Sequence, residues 1–281
     1  MIGVQALAAA LALGALAAPP VLFRLPGLPA PVQQVYAAAA DLCEVRPLPW
    51  ADATPARPFA GAAGFARVID LRDFAFDPAF RGVAMIDFFL GRLGLDPARV
   101  PPALRRNAWL APRLRPRNAL RGHILVCPRS SMRLRDMPAG LHAELVRWLA
   151  AASGRKVLTQ GAPVAGAAEA PPAAGLGALC GLVAGAALVI TTDTAMVHLA
   201  DAFAVPTLAL FTTHRPEWRM RDYPRCRALH FPVPGLPEAL EFARTPQDEA
   251  AAASAWPDVA ALRPVLRDML SGLTPTPPEG R

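Results

Sequence analysis

Lysine, cysteine and paired metal-ligand motifs are scarce in this chain. Lys156 is the single lysine among 29 basic residues, a skew that we attribute to the genome rather than to function. The four cysteines show no CxxC spacing and the five histidines no HExxH, which excludes a dense disulfide framework and predicts that no metal is bound. Cys43, Cys127, Cys180 and Cys226 are therefore expected to be reduced thiols packed inside a cytoplasmic protein.

Long apolar runs are also lacking. The most apolar stretch, residues 2–18, ends at Pro19-Pro20 and falls short of the ~20 residues that a membrane helix needs. Ala15-Leu16-Ala17 is similar to a signal-peptidase site, but no Lys or Arg precedes Arg24, so the basic start of an export signal is missing. The pattern favours a buried helix of an α/β domain, with an exported protein as the alternative.

The composition is that of a globular protein. Hydrophobic residues make up 53% of the 281 positions and charged residues 18%, which excludes disorder as the dominant state. The 32 prolines and 20 glycines follow no triplet period, which excludes a collagen-like chain. The length fits one large domain or two of ordinary size.

Acidic residues are absent from residues 99–135, which hold ten arginines. Because the formal net charge of the whole chain is +7, the remainder is slightly acidic. Trp109 is the only aromatic residue in this segment, whereas nucleic-acid-binding faces usually carry several stacking side chains. We therefore expect no nucleic-acid partner, and favour a phosphate-bearing small molecule or an anionic membrane surface. A solvated basic linker is the alternative.

Strands and helices are predicted to alternate along the chain, which indicates parallel sheets covered by helices. The predicted strands are 21–24, 43–47, 67–71, 123–127, 156–159, 187–191 and 207–211. The predicted helices are 2–17, 31–40, 83–93, 139–152, 176–184 and 195–203, with one or two more between Leu236 and Leu270 and a frayed tail over 272–281. Residues 96–121 are predicted to link two similar halves, with a cleft between the halves.

One strand-to-helix junction carries polar residues suited to binding an anion. The strand 187–191 is followed by Asp193-Thr194-Ala195-Met196-Val197-His198, in which Asp193 or Thr194 can cap the next helix. Ligands of open parallel sheets bind at the carboxyl ends of strands, where the helix start offers unpaired N–H groups. His198 lies one helical turn beyond Thr194, on the same face. In the alternative, Asp193 and Thr194 only cap the helix and His198 packs internally.

A second junction, Pro128 to Pro138, also follows a strand and precedes a helix. Its hydroxyl and guanidinium groups, among them Ser130, Ser131 and Arg135, are donors of the kind that bind phosphate oxygens. A solvated basic loop is the alternative for the arginines taken singly.

Together the two junctions resemble glycosyltransferase family 9, which contains the ADP-heptose:lipopolysaccharide heptosyltransferases. The family segment Asp-Thr-Gly-x-x-His-Leu-Ala corresponds to residues 193–200, and its later Phe-Gly-x-Thr-x-Pro to residues 211–216. In the earlier loop, Ser131 falls on the family's hydroxyl position, Arg135 on its lysine and Met137-Pro138 on its Trp-Pro pair. The resemblance covers residues 124–224, and the first half of the chain only by the order of its elements.

Three residues depart from the family pattern. Ala195 replaces a glycine that lets the ligand approach closely, so the resemblance implies a tighter pocket here. Thr212 and His214 replace the Gly and Thr of the later loop, which leaves the sugar or acceptor contacts of that loop open.

The resemblance implies an α/β fold of the GT-B type, with two Rossmann-like domains facing across a cleft. It suggests an acceptor-side domain over residues 1–115, a nucleotide-sugar domain over 116–235, and helices with a tail over 236–281. It implies inverting, metal-independent transfer of a heptose-like sugar from an ADP-sugar to a lipopolysaccharide core or related lipid-linked glycan, with no cofactor besides this donor. The implied donor-binding residues are Ser130, Ser131, Arg135, Asp193, Thr194, Ala195, Met196 and His198.

The start of the chain departs further from the family. The family's general base is an aspartate that follows the first strand, and the resemblance would place that strand and aspartate upstream of Met1. A start assigned too late explains this best. The alternative is a degenerate, non-catalytic protein that binds nucleotide-sugars without the base. We expect a cytoplasmic protein, with or without peripheral contact to the inner face of the membrane through its arginines.

Overall fold

Two parallel sheets organise the chain in the computed structural model, which describes residues 1–55, 59–114, 120–240 and 242–273. The chain divides into two compact units. The first comprises Met1–Leu114 with Glu217–Asp222, and the second comprises Arg115–Pro216 with Tyr223–Arg281.

The first unit combines a two-stranded parallel sheet with helices. Its elements are α1 (Ile2–Ala12), β1 (Val21–Arg24), α2 (Ala30–Ala37), β2 (Glu44–Pro47) and α3 (Met85–Arg92). Helix α1 packs against α3, and both contribute to an apolar core. This core contains Ile2, Ala6, Ala9, Ile86, Phe88, Phe89, Leu90 and Val100. The predicted buried helix at the start of the chain is thus confirmed, although it ends at Ala12 rather than Ala17; Gly14, two residues later, has φ = 68°, which a helix does not allow.

The predicted strand at 67–71 is wrong. These residues form no strand, and Val68 is 49% exposed. The backbone nearby is held instead by Arg72, whose Nη1 donates to the carbonyl oxygens of Asp52 at 2.6 Å and Thr54 at 3.0 Å. An apolar run forms a strand only where a partner strand meets its hydrogen bonds, and none does so here.

The predicted linker is also wrong as far as the structure describes it. Residues 97–113 form four short 3₁₀ helices, and Val100, Trp109 and Leu110 are buried. Two of the four pack against α1. The segment up to Leu114 therefore belongs to the first unit, while residues 115–119 lie outside the described part of the chain.

The second unit holds a six-stranded sheet and most of the helices. Its strands are β3 (His123–Cys127), β4 (Val157–Thr159), β5 (Ala168–Glu169), β6 (Ala186–Thr192), β7 (Thr207–Phe211) and β8 (Cys226–His230). Its helices are α4 (Ala139–Ser153), α5 (Leu176–Gly185), α6 (Ala195–Ala202), α8 (Pro246–Ser254) and α9 (Val259–Ser271). The short α7 (Pro216–Arg219) belongs, apart from Pro216, to the first unit.

All neighbouring strands of this sheet are parallel, in the order β5-β4-β3-β6-β7-β8. The strands that follow β3 in sequence, β4 and β5, are added on one side of it, and those that follow β6, β7 and β8, are added on the opposite side of the sheet. This is the strand order of dinucleotide-binding Rossmann folds, and it leaves a crevice beyond the carboxyl ends of the two central strands. The predicted α/β class is confirmed.

Both faces of the sheet are covered. One face, with Ile124, Val126 and Ile190 among its side chains, packs against α4 and α9 in the largest core cluster. Contacts of α5 and α6 with β6, and of α6 with β7, cover the other. A strand buried on both faces needs apolar residues at nearly every position, which is why these strands are almost continuous apolar runs in the sequence.

The predicted strands and helices of this unit are confirmed to within two residues at each end. The sequence analysis missed β5 and β8, which form the two edges of the sheet. β5 has two residues and β8 includes Arg227 and His230, so neither carries the apolar run of a central strand. Most of the predicted frayed tail, residues 274–281, lies outside the described residues.

Within the described ranges, none of the helices combines the length and the apolar character that crossing a bilayer requires.

Candidate functional site

The crevice beyond β3 and β6 gathers the polar residues that the sequence analysis singled out. The loop 128–138 leaves β3, and Asp193 and Thr194 leave β6, the neighbouring strand. Because the chain turns in opposite directions from these two strands, their following loops do not cover each other. Tertiary structure thus brings together two segments about sixty residues apart in sequence.

An ion pair joins the two loops. The guanidinium of Arg135 donates from Nη1 to Oδ2 of Asp193 at 3.0 Å. Both side chains are largely buried, Arg135 with 13% exposure and Asp193 with 8%. A charge-assisted bond in such surroundings is stronger than one in water, and each partner relieves the cost of burying the other.

His214 brings the loop after β7 to the same carboxylate. Its Nδ1 lies 3.7 Å from Oδ2 of Asp193 and 3.1 Å from the hydroxyl of Thr213, and the ring is 2% exposed. Thr212 ties this loop to the first one, since its hydroxyl donates to the carbonyl of Leu134 at 3.2 Å. Three adjacent strands therefore each supply a loop to one cluster.

The start of α6 faces this cluster. The hydroxyl of Thr194 accepts from the backbone N–H of Met196 at 3.1 Å and lies 3.1 Å from the hydroxyl of Thr191. Thr194, rather than Asp193, is the cap. Ala195 is exposed at the first helical position, whereas the Met196 side chain is buried. An approaching anion would meet backbone there and no bulky side chain.

Ser130 and Ser131 differ in their surroundings. The Ser130 hydroxyl donates to the Met132 carbonyl at 2.7 Å and accepts from the Met132 N–H at 2.8 Å, so it shapes the loop. The Ser130 N–H donates to Asp136 at 2.7 Å. Ser131 is exposed. Of the two predicted serines, Ser131 therefore has the more accessible hydroxyl.

His198 lies one turn into α6 and bonds to a residue outside the cluster. Its Nδ1 is 2.8 Å from the hydroxyl of Tyr223, and the two rings meet edge to face with centroids 5.9 Å apart. The sequence analysis did not single out Tyr223, and it treated His214 only as a departure from the family pattern. Nothing local in either position indicates its partner.

Cys127 ends β3 beside this site but is unsuited to nucleophilic chemistry. Complete burial raises the pKa of its thiol to about 12, so the thiolate is scarce near neutral pH. Among the described residues, no three His, Cys, Asp or Glu side chains are grouped so that they could hold a metal ion.

Comparisons with known proteins agree with this architecture. The chain matches two crystal structures of TibC from E. coli, one described as an iron-containing dodecameric glycosyltransferase of strain H10407 and the other as an iron-containing heptosyltransferase in complex with ADP-D-β-D-heptose. Both are 15% identical to this chain over 91% of its length. The two alignments cover 77% and 76% of the TibC chains, with TM-scores of 0.58 and 0.55. At this identity the likeness shows a shared fold.

No match was found among the sequences of curated proteins. Residues 111–224 match the model of glycosyltransferase family 9 (heptosyltransferase), which spans β3, β6, β7 and both loops of the site. The resemblance noted from the sequence is thereby confirmed over residues 111–224.

Proposed function

We propose that this chain is a glycosyltransferase that transfers a heptose-like sugar from an ADP-sugar to a lipopolysaccharide core or related lipid-linked glycan. The observation that carries the proposal is the Arg135–Asp193 pair at the crevice between β3 and β6, beside the exposed start of α6. It supplies a guanidinium for a diphosphate and a carboxylate for sugar or ribose hydroxyls, within a region matched by the family model.

The reaction places particular demands on these groups. The acceptor hydroxyl oxygen bonds to the anomeric carbon while the bond from that carbon to the diphosphate oxygen breaks, and a base takes the hydroxyl proton. Negative charge grows on the departing diphosphate, where Arg135, Ser131 and the N–H groups at the start of α6 would stabilise it. Asp193 and His198 would orient the donor. The proposal assigns no base within this chain and routes no step through a metal.

The basic segment supports membrane contact less than its composition suggested. Arg105 pairs with Asp222, Arg113 with Asp41, and Arg129 with Asp136, so part of its charge is neutralised within the chain. Peripheral contact with a lipid-linked acceptor stays a proposal for the remaining arginines, of which Arg115 and Arg117 lie outside the described residues.

A thermal-shift panel tests the donor assignment. The full chain is heated with ADP-, UDP-, GDP- and CMP-sugars, and the increase in Tm is compared with that of Asp193→Asn. A ligand at ~100-fold its Kd adds about 2.7 kcal/mol to the stability of a protein that binds it only when folded. Stabilisation by ADP-sugars alone, lost in Asp193→Asn, is expected. A folded chain that responds to none of them would overturn the donor site.

A turnover assay separates the enzyme from a non-catalytic binding protein. ADP release is followed after addition of ADP-heptose and a heptose-acceptor glycan. Release that depends on the acceptor is expected of a transferase. Stabilisation by ADP-sugars without any ADP release would instead assign the chain a binding role.

A further inference from the structure

We propose that His214 is a positioning residue of the site, which holds the Asp193 carboxylate when a bound diphosphate draws on Arg135. This rests on the function proposed above, and it deepens that function by assigning a role to a residue that departs from the family pattern. The starting observation is geometric: Nδ1 of a nearly fully buried imidazole lies 3.7 Å from the carboxylate oxygen that Arg135 also contacts.

The negative charge of the Asp193 carboxylate needs a hydrogen-bond donor or a positive charge nearby, whatever the orientation of the Arg135 side chain. At 8% exposure it is largely removed from water, and a buried carboxylate without a partner is costly. In the ligand-free protein Arg135 supplies the opposite charge. A diphosphate in the crevice adds negative charge that competes for the same guanidinium, so that the cluster as a whole becomes net negative.

His214 is the group placed to offset this charge. Its Nδ1 also lies 3.1 Å from the Thr213 hydroxyl, and a carboxylate nearby favours a proton on that nitrogen. His214 is thus expected to keep the carboxylate in place when Arg135 contacts the diphosphate, and so to strengthen binding of the donor.

Two further side chains belong to the surroundings of this loop. Arg215, the next residue, is exposed and pairs with Glu238 at 2.8 Å. His230 at the end of β8 has its Nε2 3.1 Å from the carbonyl oxygen of Thr212.

Calorimetry with ADP-glucose tests the proposal. Titration at pH 7 gives the Kd of the wild-type protein and of each variant. His214→Thr, which places the family's residue at this position, is expected to bind about tenfold more weakly than the wild-type protein.

Two further variants separate positioning from a merely structural role. His214→Gln keeps a neutral donor and is expected to recover part of the affinity that His214→Thr loses. His230→Gln, which removes an imidazole one strand further from Asp193, is expected to bind as tightly as the wild-type protein. An affinity that is unchanged in His214→Thr overturns the proposal.

A thermal-unfolding measurement without ligand tests the contact between His214 and Asp193 independently of donor binding. Tm is measured for His214→Thr, Asp193→Asn and the double variant. The double variant is expected to lose less than the sum of the single losses, because each change removes the same contact. Additive losses overturn the role of His214 even if ADP-glucose binds. Coupled losses of Tm in a protein that does not bind ADP-glucose would support the His214–Asp193 contact and overturn the proposed donor instead.

Discussion

At the residue scale, the site depends on a small number of buried charges that compensate one another. Arg135 and Asp193 lie 58 positions apart and form a pair that is mostly shielded from water. Removing one partner from such a pair is more damaging than removing a surface charge, because the other is left buried without compensation. Arg133, two residues before Arg135 in the sequence, is exposed.

Arg135→Ala is expected to weaken binding of an ADP-sugar about tenfold to a hundredfold, because hydrogen bonds to charged groups contribute about 1.5–3 kcal/mol. Arg133→Ala removes the same charge from the same turn and is expected to change the Kd less than threefold. Isothermal titration of both variants with ADP-glucose measures the difference. Arg135→Lys, which restores the family's residue, serves as a folded variant that keeps the charge.

Equal and small losses in Arg135→Ala and Arg133→Ala would contradict the assignment of this loop to the diphosphate. Arg133 is the matched control because it is exposed and lies in the same 3₁₀ turn as Arg135.

At the element scale, the position of β6 depends on a tight junction with the end of α5. Gly185 ends α5 and lies against the backbone of Leu120, just before β3. A Cβ added at Gly185 would lie 2.1 Å from the carbonyl oxygen of Leu120. Gly177, near the start of the same helix, has no atom within 4 Å of such a Cβ.

Gly185→Ala is therefore expected to destabilise the protein by about 1–3 kcal/mol, since backbone rather than a flexible side chain must move. Gly177→Ala, its matched control, is expected to stabilise by about 0.5–1 kcal/mol through helix propensity. Urea denaturation followed by circular dichroism measures both. A Gly185→Ala variant as stable as Gly177→Ala would show that the junction is loose.

Sequence patterns predicted the central elements well and the edges poorly, for one physical reason. Strands β3, β6 and β7 are buried on both faces and carry apolar runs that need no knowledge of their neighbours. Residues 67–71 contain Val68, Ile69 and Leu71 but find no partner strand, and β8 forms a strand because β7 lies beside it. Pairing is a property of the sheet and not of the segment.

At the scale of the whole molecule, buried histidines link the stability of the fold to pH. His123 in β3 and His142 in α4 are both buried. Burial lowers the pKa of each below the ordinary value of 6.5, and the positive charge of Arg129 lowers that of His142 further. Burial therefore favours the neutral imidazoles. The hydrogen bond between His123 Nε2 and the Leu182 carbonyl at 3.1 Å raises the pKa of His123 and offsets part of this effect, while Nε2 of His142 lies 3.0 Å from the Thr159 hydroxyl.

The free energy of unfolding is expected to fall as the pH drops from 7 to 5. Below about pH 6.5 the unfolded chain binds protons that the folded protein excludes, so stability is lost as the pH falls and retained above this value. Each such proton contributes a slope of up to about 1.4 kcal/mol per pH unit. Urea titrations between pH 5 and pH 8 measure the slope.

His142→Gln is expected to reduce that slope while keeping a side chain that can bond to Thr159. His123, which stays in this variant, contributes to the part that remains. An unchanged slope would show that His142 accepts a proton in the folded state as readily as in the unfolded chain.

The α/β class, the central strands and the resemblance of residues 111–224 to glycosyltransferase family 9 could be predicted from the sequence, because apolar runs and short motifs are local properties of the chain. The pairing of charges could not be predicted in this way. The segment 99–135 contains no acid, yet Arg113 pairs with Asp41 and Arg135 with Asp193, at separations of 72 and 58 residues. His214 likewise reaches Asp193 because β6 and β7 are neighbours in the sheet. A side chain's partner in a folded protein is set by the order of strands, which no local pattern records.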